Sequence, residues 1–422
     1  MEILIYVPEI TPRINYTFRQ VCKRILGFKI NFTTKIETFI AYKGAKFSYA
    51  NQRLGNEVFI QACGLLQEQG VNDLEINVSI WQGEPYFFKT SLQSDIPYDI
   101  FAASFFLLTR YEEYLPHVKN RIGDFPAQES LAYKNGFLQK PIVNIWIDVF
   151  SKILQNKFKD INLNSNSSQV NIIVAVEKAF KYRKYGISRS IAGFVGDTIQ
   201  LKFSDVYSRI KTWFYSNNDP FDVYDELIRF KNDYNVDMKF MFLLGDYSIN
   251  TKNINHRKKI YQKLIKSMGD YCEIGLMPSH EAIHEFDILN KEIDRFEKIS
   301  NRELESIMIK DYELNFPDFY ISLDKTNIKK DFSMGYSDHI GYRAGTSHSF
   351  LFYDLNLEQA SPIEIHPFFA SSQALKNTDI EKFYSIKNEL NCSYNLLISN
   401  EDFSNTEFKQ KIYQITKHLK TC

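Results

Sequence analysis

The sequence has no excess of either charge: 51 Lys+Arg face 51 Asp+Glu over 422 residues, for a formal net charge of zero. A chain without a dominant sign offers no general electrostatic footprint for nucleic acid or an anionic membrane. Cysteine is scarce and irregular. Cys22, Cys63, Cys272, Cys392 and Cys422 are odd in number, widely spaced and free of any C-x-x-C, which argues against a disulfide framework and for a reducing compartment. No run of about 18 apolar residues could span a bilayer. The opening Met-Glu-Ile-Leu-Ile-Tyr-Val has neither the basic start nor the long apolar stretch of a secretory leader. The expectation is a cytoplasmic protein with no membrane span and no nucleic-acid partner. Gly335, Gly341 and Gly345 form no phosphate-binding fingerprint, and no Ser-His-Asp elbow is present. What remains is 44% hydrophobic and 24% charged, enough apolar matter for two or three packed domains.

The hydrophobic pattern divides the chain. The first part reads as a mixture of strands (residues 3–7, 38–42 and 74–81) and helices (residues 16–26, 100–114 and 142–157). Asn162-Leu-Asn-Ser-Asn-Ser-Ser168 is the most linker-like stretch, and a boundary there gives units at 1–165 and 166–422. Beyond it, strand runs at 171–176, 239–244, 271–276, 306–309, 319–323, 363–366 and 394–399 alternate with helical patterns. That alternation implies parallel strands with crossover helices. A (β/α) barrel, complete or partial, preceded by a small α/β unit, is the economical arrangement.

One stretch carries an obvious motif. His280-Glu281-Ala282-Ile283-His284 spells H-E-x-x-H, which in zinc proteases places two metal-binding His on one helical face with the Glu as base. Here an apolar strand ends only a few residues earlier and Pro278 stands two residues before His280. Proline is tolerated in a first helical turn and not in a helix interior. The motif is therefore expected at a strand end, where a barrel keeps its chemistry, and a metalloprotease is the remote alternative.

Three blocks, Glu273–Ser279 ("EIGLMPS"), Asp331–Leu355 ("DFSMGYSDHIGYRAGTSHSFLFYDL") and Ile363–Phe369 ("IEIHPFF"), resemble the polysaccharide deacetylases, carbohydrate esterase family 4. The likeness is greatest to a cytoplasmic bacterial branch with an extra N-terminal domain, and it covers residue 171 to about 369. It implies metal-assisted hydrolysis of an acetylated sugar, with a divalent cation on one Asp and two His, a second Asp as base, a late His as acid and an Arg orienting the base. Aligned on this family, Ala175 and Glu177 stand where the base Asp and the metal Asp are expected. Met277 replaces the first metal His, and Glu281 the second. A thioether is a poor ligand for zinc. The resemblance carries over Arg343 and His366 as the surviving late elements, with Glu177 as the remaining carboxylate.

The residues leave alternatives. A relocated site would place a divalent cation, zinc or similar, on Glu177, His280, Glu281 and His284, with His366 as acid. A degenerate site would hold no cofactor. Asp338 and Tyr312 are candidate sugar contacts. The functions that follow are deacetylation of an acylated sugar in glycan metabolism by a rebuilt or impaired site, or non-catalytic glycan binding or scaffolding. Carbohydrate is the expected partner in both.

Overall fold

The computed structural model describes residues 2–159, 169–182, 219–248, 251, 253–310, 314–384 and 392–421. The linker-like run at 162–168 and the candidate sugar contact Tyr312 lie outside the described residues.

The chain opens with β1 (Glu2–Tyr6), β2 (Lys29–Thr33), β3 (Lys46–Ala50) and β4 (Val58–Gln61), hydrogen-bonded in the order β2-β1-β3-β4 with every pair parallel. A hairpin, β5 (Ser79–Trp81) and β6 (Glu84–Tyr86), follows. Helices at Ile100–Leu108 and Ile142–Lys157 cover the first sheet. The first is buried at all nine positions, as a helix apolar all round must be. Its packing is aromatic: Phe101 stacks on Phe18 with ring centres 4.1 Å apart, and Phe47 meets Phe150 edge-on at 5.2 Å.

The second sheet has nine strands: β7 (Gln169–Val176), β8 (Asp237–Leu243), β9 (Glu273–Met277), β10 (Ser306–Ile307), β11 (Lys330–Asp331), β12 (Phe350–Asp354), β13 (Gln359–Ile365), β14 (Ala370–Ser371) and β15 (Ser393–Ser399). Their order is β12-β13-β11-β10-β9-β8-β7-β15-β14, parallel except for the β12–β13 pair. This is an α/β architecture with one large mixed sheet. The runs of β7 and β8 are almost continuously apolar because helices cover the outer face and a second apolar layer fills the inner one. That inner layer consists of Ile173, Ala175, Met241, Leu243, Met277, Met308, Phe332, Phe368 and Leu397, all buried in one cluster.

The segment between β13 and β14 bridges distant parts of the sheet. His366 N donates to Asp331 O at 2.8 Å and Phe368 N to Met334 O at 2.9 Å. The next amide, Phe369 N, donates to Asn395 O at 2.8 Å, and Ala370 then pairs with Leu396 on β15. One extended stretch thus leaves the neighbourhood of β11 and joins β15.

Two strands expected from the sequence are helices instead. Residues 38–42 fall largely in the helix Ile36–Ala41, where Phe39 is the buried residue, and residues 319–323 form the helix Asp318–Leu323. Short apolar runs carry the same local signal in either state, and packing on one side only selects the helix. Of the strand expected over 74–81, only Ser79–Trp81 forms. The strand β12 lies inside the block 331–355, where the sequence pattern marks no separate element.

The later chain is tied to the early one. The tip between β12 and β13 presents Glu358 to the fully buried Arg13, whose Nε lies 3.0 Å from Oε2 and Nη2 2.5 Å from Oε1. Tyr336, Tyr353 and Leu355 join the core of the first sheet.

Candidate functional site

Parallel strands start at one end of their sheet and finish at the other, and the finishing end is where this architecture keeps its chemistry. Glu177 follows β7 at that end. Lys310, three residues past β10, lies with its Nζ 3.7 Å from the Glu177 carboxylate, the lysine nearly buried and the glutamate half-buried. Lys310 also lines a small cavity of about 30 Å³ with Ile122, Asp124, Ser333, Arg343 and Phe368. That volume suits a water molecule or so. Part of the wall, Ile122 and Asp124, comes from the early chain.

Arg343 belongs to a buried ionic network. Its Nε and Nη2 donate to the two Glu113 oxygens at 2.8 and 2.7 Å, its Nη1 and Nη2 donate to Asp124 at 3.0 Å each, and Nη1 reaches Gly335 O at 3.2 Å. Arg110 shares Glu113, donating from Nε at 2.7 Å, and also holds Glu112 at 2.8 Å and the Arg343 carbonyl. Arg110 adopts the left-handed conformation, φ 53°, between the helices Ile100–Leu108 and Tyr111–Tyr114. Its network position holds a backbone state that is uncommon for a non-glycine residue. Burial alone would raise the Glu113 carboxyl. Arg343 and then Arg110 outweigh it and hold the group at about 2.

The H-E-x-x-H residues make up a single five-residue turn, His280–His284, directly after β9. Ser279 caps it by accepting from Ala282 N. The cap is itself fixed by buried Glu292, which accepts from Ser279 N at 3.0 Å and Ser279 Oγ at 2.6 Å; burial raises the Glu292 carboxyl. The two imidazole rings stand 5.0 Å apart, His280 and Glu281 half-buried and His284 exposed. Among the described residues no three His, Cys, Asp or Glu side chains are grouped so as to hold a metal ion. Glu177, His280, Glu281 and His284 are therefore not assembled into one ligand set there.

Asp338 is exposed and pairs with its neighbour, Oδ1 to His339 Nδ1 at 2.8 Å, while the His339 ring meets Tyr133 edge-on. His366 is not beside Glu177. It lines a cavity of about 310 Å³ at the starting end of the strands, with Asn171 near the start of β7 and Lys239 near the start of β8. Asn171 precedes Glu177 by six residues, so the two ends are roughly 20 Å apart at about 3.3 Å per residue. His366 stacks on Phe332 with ring centres 4.8 Å apart.

The positions that the family resemblance assigns to the base and to the first metal His, Ala175 and Met277, both pack in the apolar inner layer. With a lysine ammonium next to Glu177, the described donors at the finishing end do not fit a divalent cation, since like charge repels it and no nitrogen or carboxylate set surrounds it. Reading the sequence missed Lys310, Glu113 and Asp124. The one sequence trace of them is the charged tail of the helical run ending at Tyr114.

Residues 3–159 match a family of unknown function, DUF7033. No curated protein matches the chain. Among solved structures, a protein of Mycobacterium smegmatis described as a polysaccharide deacetylase is similar at 11% identity, covering 61% of this chain and 85% of that one, with a TM-score of 0.39. A carbohydrate esterase family 4 pseudoenzyme from Bacillus anthracis is similar at 10% identity over 60% of this chain and 62% of its own length, with a TM-score of 0.31. Among the described residues, no helix is long and apolar enough to cross a membrane.

Proposed function

We propose that this chain is a deacetylase-like, carbohydrate-directed protein that does not hydrolyse its ligand, built as a β/α barrel with an extra α/β unit at residues 1–165. The observation that carries the reading is the fate of two positions. Where hydrolysis of an acetyl group needs a base and a metal-binding imidazole, Ala175 and Met277 are fully buried in one apolar cluster. Neither takes a proton from water nor polarises a carbonyl. The barrel reading is supported by the stretch that pairs first beside β11 and then with β15. The carbohydrate reading rests on the motif blocks quoted above.

The test is direct. Purified protein incubated with N-acetylated chito-oligosaccharide and zinc, cobalt or nickel is expected to release no acetate above the protein-free control. Equilibrium dialysis is expected to leave no stoichiometric metal on it. Acetate turnover that disappears in Glu177→Ala, or one bound metal lost in that variant, overturns the reading in favour of a rebuilt hydrolase.

A further inference from the structure

The small cavity at the finishing end is walled in part by a loop of the early chain, residues 116–126. Its root is fixed: Phe125 is buried in the core of the first sheet and meets the His117 ring edge-on at 4.8 Å. Its tip is not buried. Val118 is 72% exposed, and Ile122, which lines the cavity, is 44% exposed. The tip also has its own scaffold. Asn120 Oδ1 accepts from Ile122 N at 3.0 Å and from Asp124 N at 2.9 Å, Asn120 N donates to Asp124 O at 2.9 Å, and Gly123 makes the turn at φ 88°. A turn whose backbone groups are satisfied internally keeps its shape when it lifts from its neighbours.

The tie between this loop and Arg343 is built to be released. Three carboxylates, Glu112, Glu113 and Asp124, stand around the two buried arginines. Two carboxylates balance two guanidinium groups, so one anion is surplus. Asp124 is the most exposed of the three, at 18% against 11% for Glu112 and 2% for Glu113. When Asp124 leaves, every guanidinium nitrogen of Arg343 keeps an acceptor: Nε and Nη2 hold Glu113, and Nη1 holds Gly335 O. Losing the partner of a buried ion is costly when the ion is left bare, and here it is not.

We infer that residues 116–126 form a strap closing the finishing end, with Asp124 on Arg343 as its latch and Ile122 as its plug, and that lifting it opens a pocket over Lys310 and Ser333. Closed, the cavity of about 30 Å³ has room for water. A larger molecule that enters there must first displace Ile122, as at other sites gated by a loop. The device does not depend on what the ligand is or on whether it is hydrolysed.

Two rates test the strap in the full chain. Leu314→Cys, at a buried position lining the cavity, reports access through its alkylation by iodoacetamide, read by peptide mass. Trypsin cleavage after Lys119 and Arg121, both exposed at the tip, reports lifting. Asp124→Asn keeps the shape of the latch and removes its charge; it is expected to raise both rates about tenfold. Ile122→Ala is expected to raise the alkylation rate and to leave cleavage near the wild-type rate, because the latch is intact. The urea midpoint is expected to stay at the wild-type value in both variants. Equal alkylation with and without either substitution, or cleavage that Asp124→Asn does not accelerate, overturns the strap. A rise matched by an equal fall in global stability overturns it too, since Asp124 would then be a strut of the core.

Discussion

Glu113→Ala is expected to destabilise the folded chain by about 3–5 kcal/mol, because the substitution strips the shared partner from two buried guanidinium groups. Arg343 and Arg110 are 2% and 1% exposed, so water does not replace the lost carboxylate. Arg343 keeps Asp124, and Arg110 keeps the more peripheral Glu112. Urea unfolding followed by tryptophan fluorescence checks this, since Trp146 sits in the core of the first sheet. A loss below about 1 kcal/mol, the usual size for an exposed pair, would mean that the network is solvated in solution.

The same carboxylate makes stability depend on acid. Its pKa lies below the usual 4.5, at about 2, in the folded chain. A carboxyl depressed on folding contributes stability that is complete above the unfolded value and is lost as pH falls through the folded one. The window therefore runs from about pH 4.5 down to about pH 2, and the contribution is about 3 kcal/mol. Glu113→Gln is expected to be less stable at pH 7 and to show a flatter acid limb over that window. An unchanged slope would assign acid sensitivity to other carboxylates.

Gly341→Ala is expected to cost on the order of 3 kcal/mol, from two sources that add. The residue sits at φ 146°, outside the range that an L side chain adopts easily, a strain of about 1–3 kcal/mol. An added Cβ would also meet the Leu138 backbone, 2.9 Å from its carbonyl carbon, and its Cγ at 2.7 Å. Backbone does not step aside as a flexible side chain does, and overpacking of this kind costs about 1–3 kcal/mol. Gly136→Ala is the control: φ is 72° and nothing lies within 4 Å of the new atom, so only the conformational part, about 1–2 kcal/mol, is expected. Equal effects in the two variants would show that the close approach at Leu138 is relaxed in solution.

These predictions bear on the longest recognisable block of the sequence. The family resemblance implies that Arg343 in "GYRAGT" orients a catalytic base. In the structure the block is joined to the early chain. Tyr342 N donates to Leu138 O, Val143 N to Gly345 O, and Asn144 holds Thr346 and Ser347. Arg343 spends its donors on Glu113, Asp124 and Gly335. A motif name identified the stretch, and its partners assigned its work.

Local pattern was enough for much of the fold. The helix at 142–157 is legible because it is long and its apolar spacing fits one period, and the strands at 171–176, 239–244 and 394–399 because short, β-branched or aromatic, continuously apolar runs suit strands covered on both faces. The departure from a deacetylase site that we propose rests on residue type alone: a methyl group at 175 and a thioether at 277 lack the chemistry that the family resemblance assigns to those positions. What the order of residues leaves open is which end of a strand a side chain occupies and what meets it there. His366 sits with Lys239 and Asn171 because its segment slants from β11 towards β15, a path set by strand pairing. Arg343 meets Glu113 across 230 positions. Such contacts leave no periodic trace, because packing of the whole chain brings them together, whereas helices and strands are written by neighbours a few residues apart.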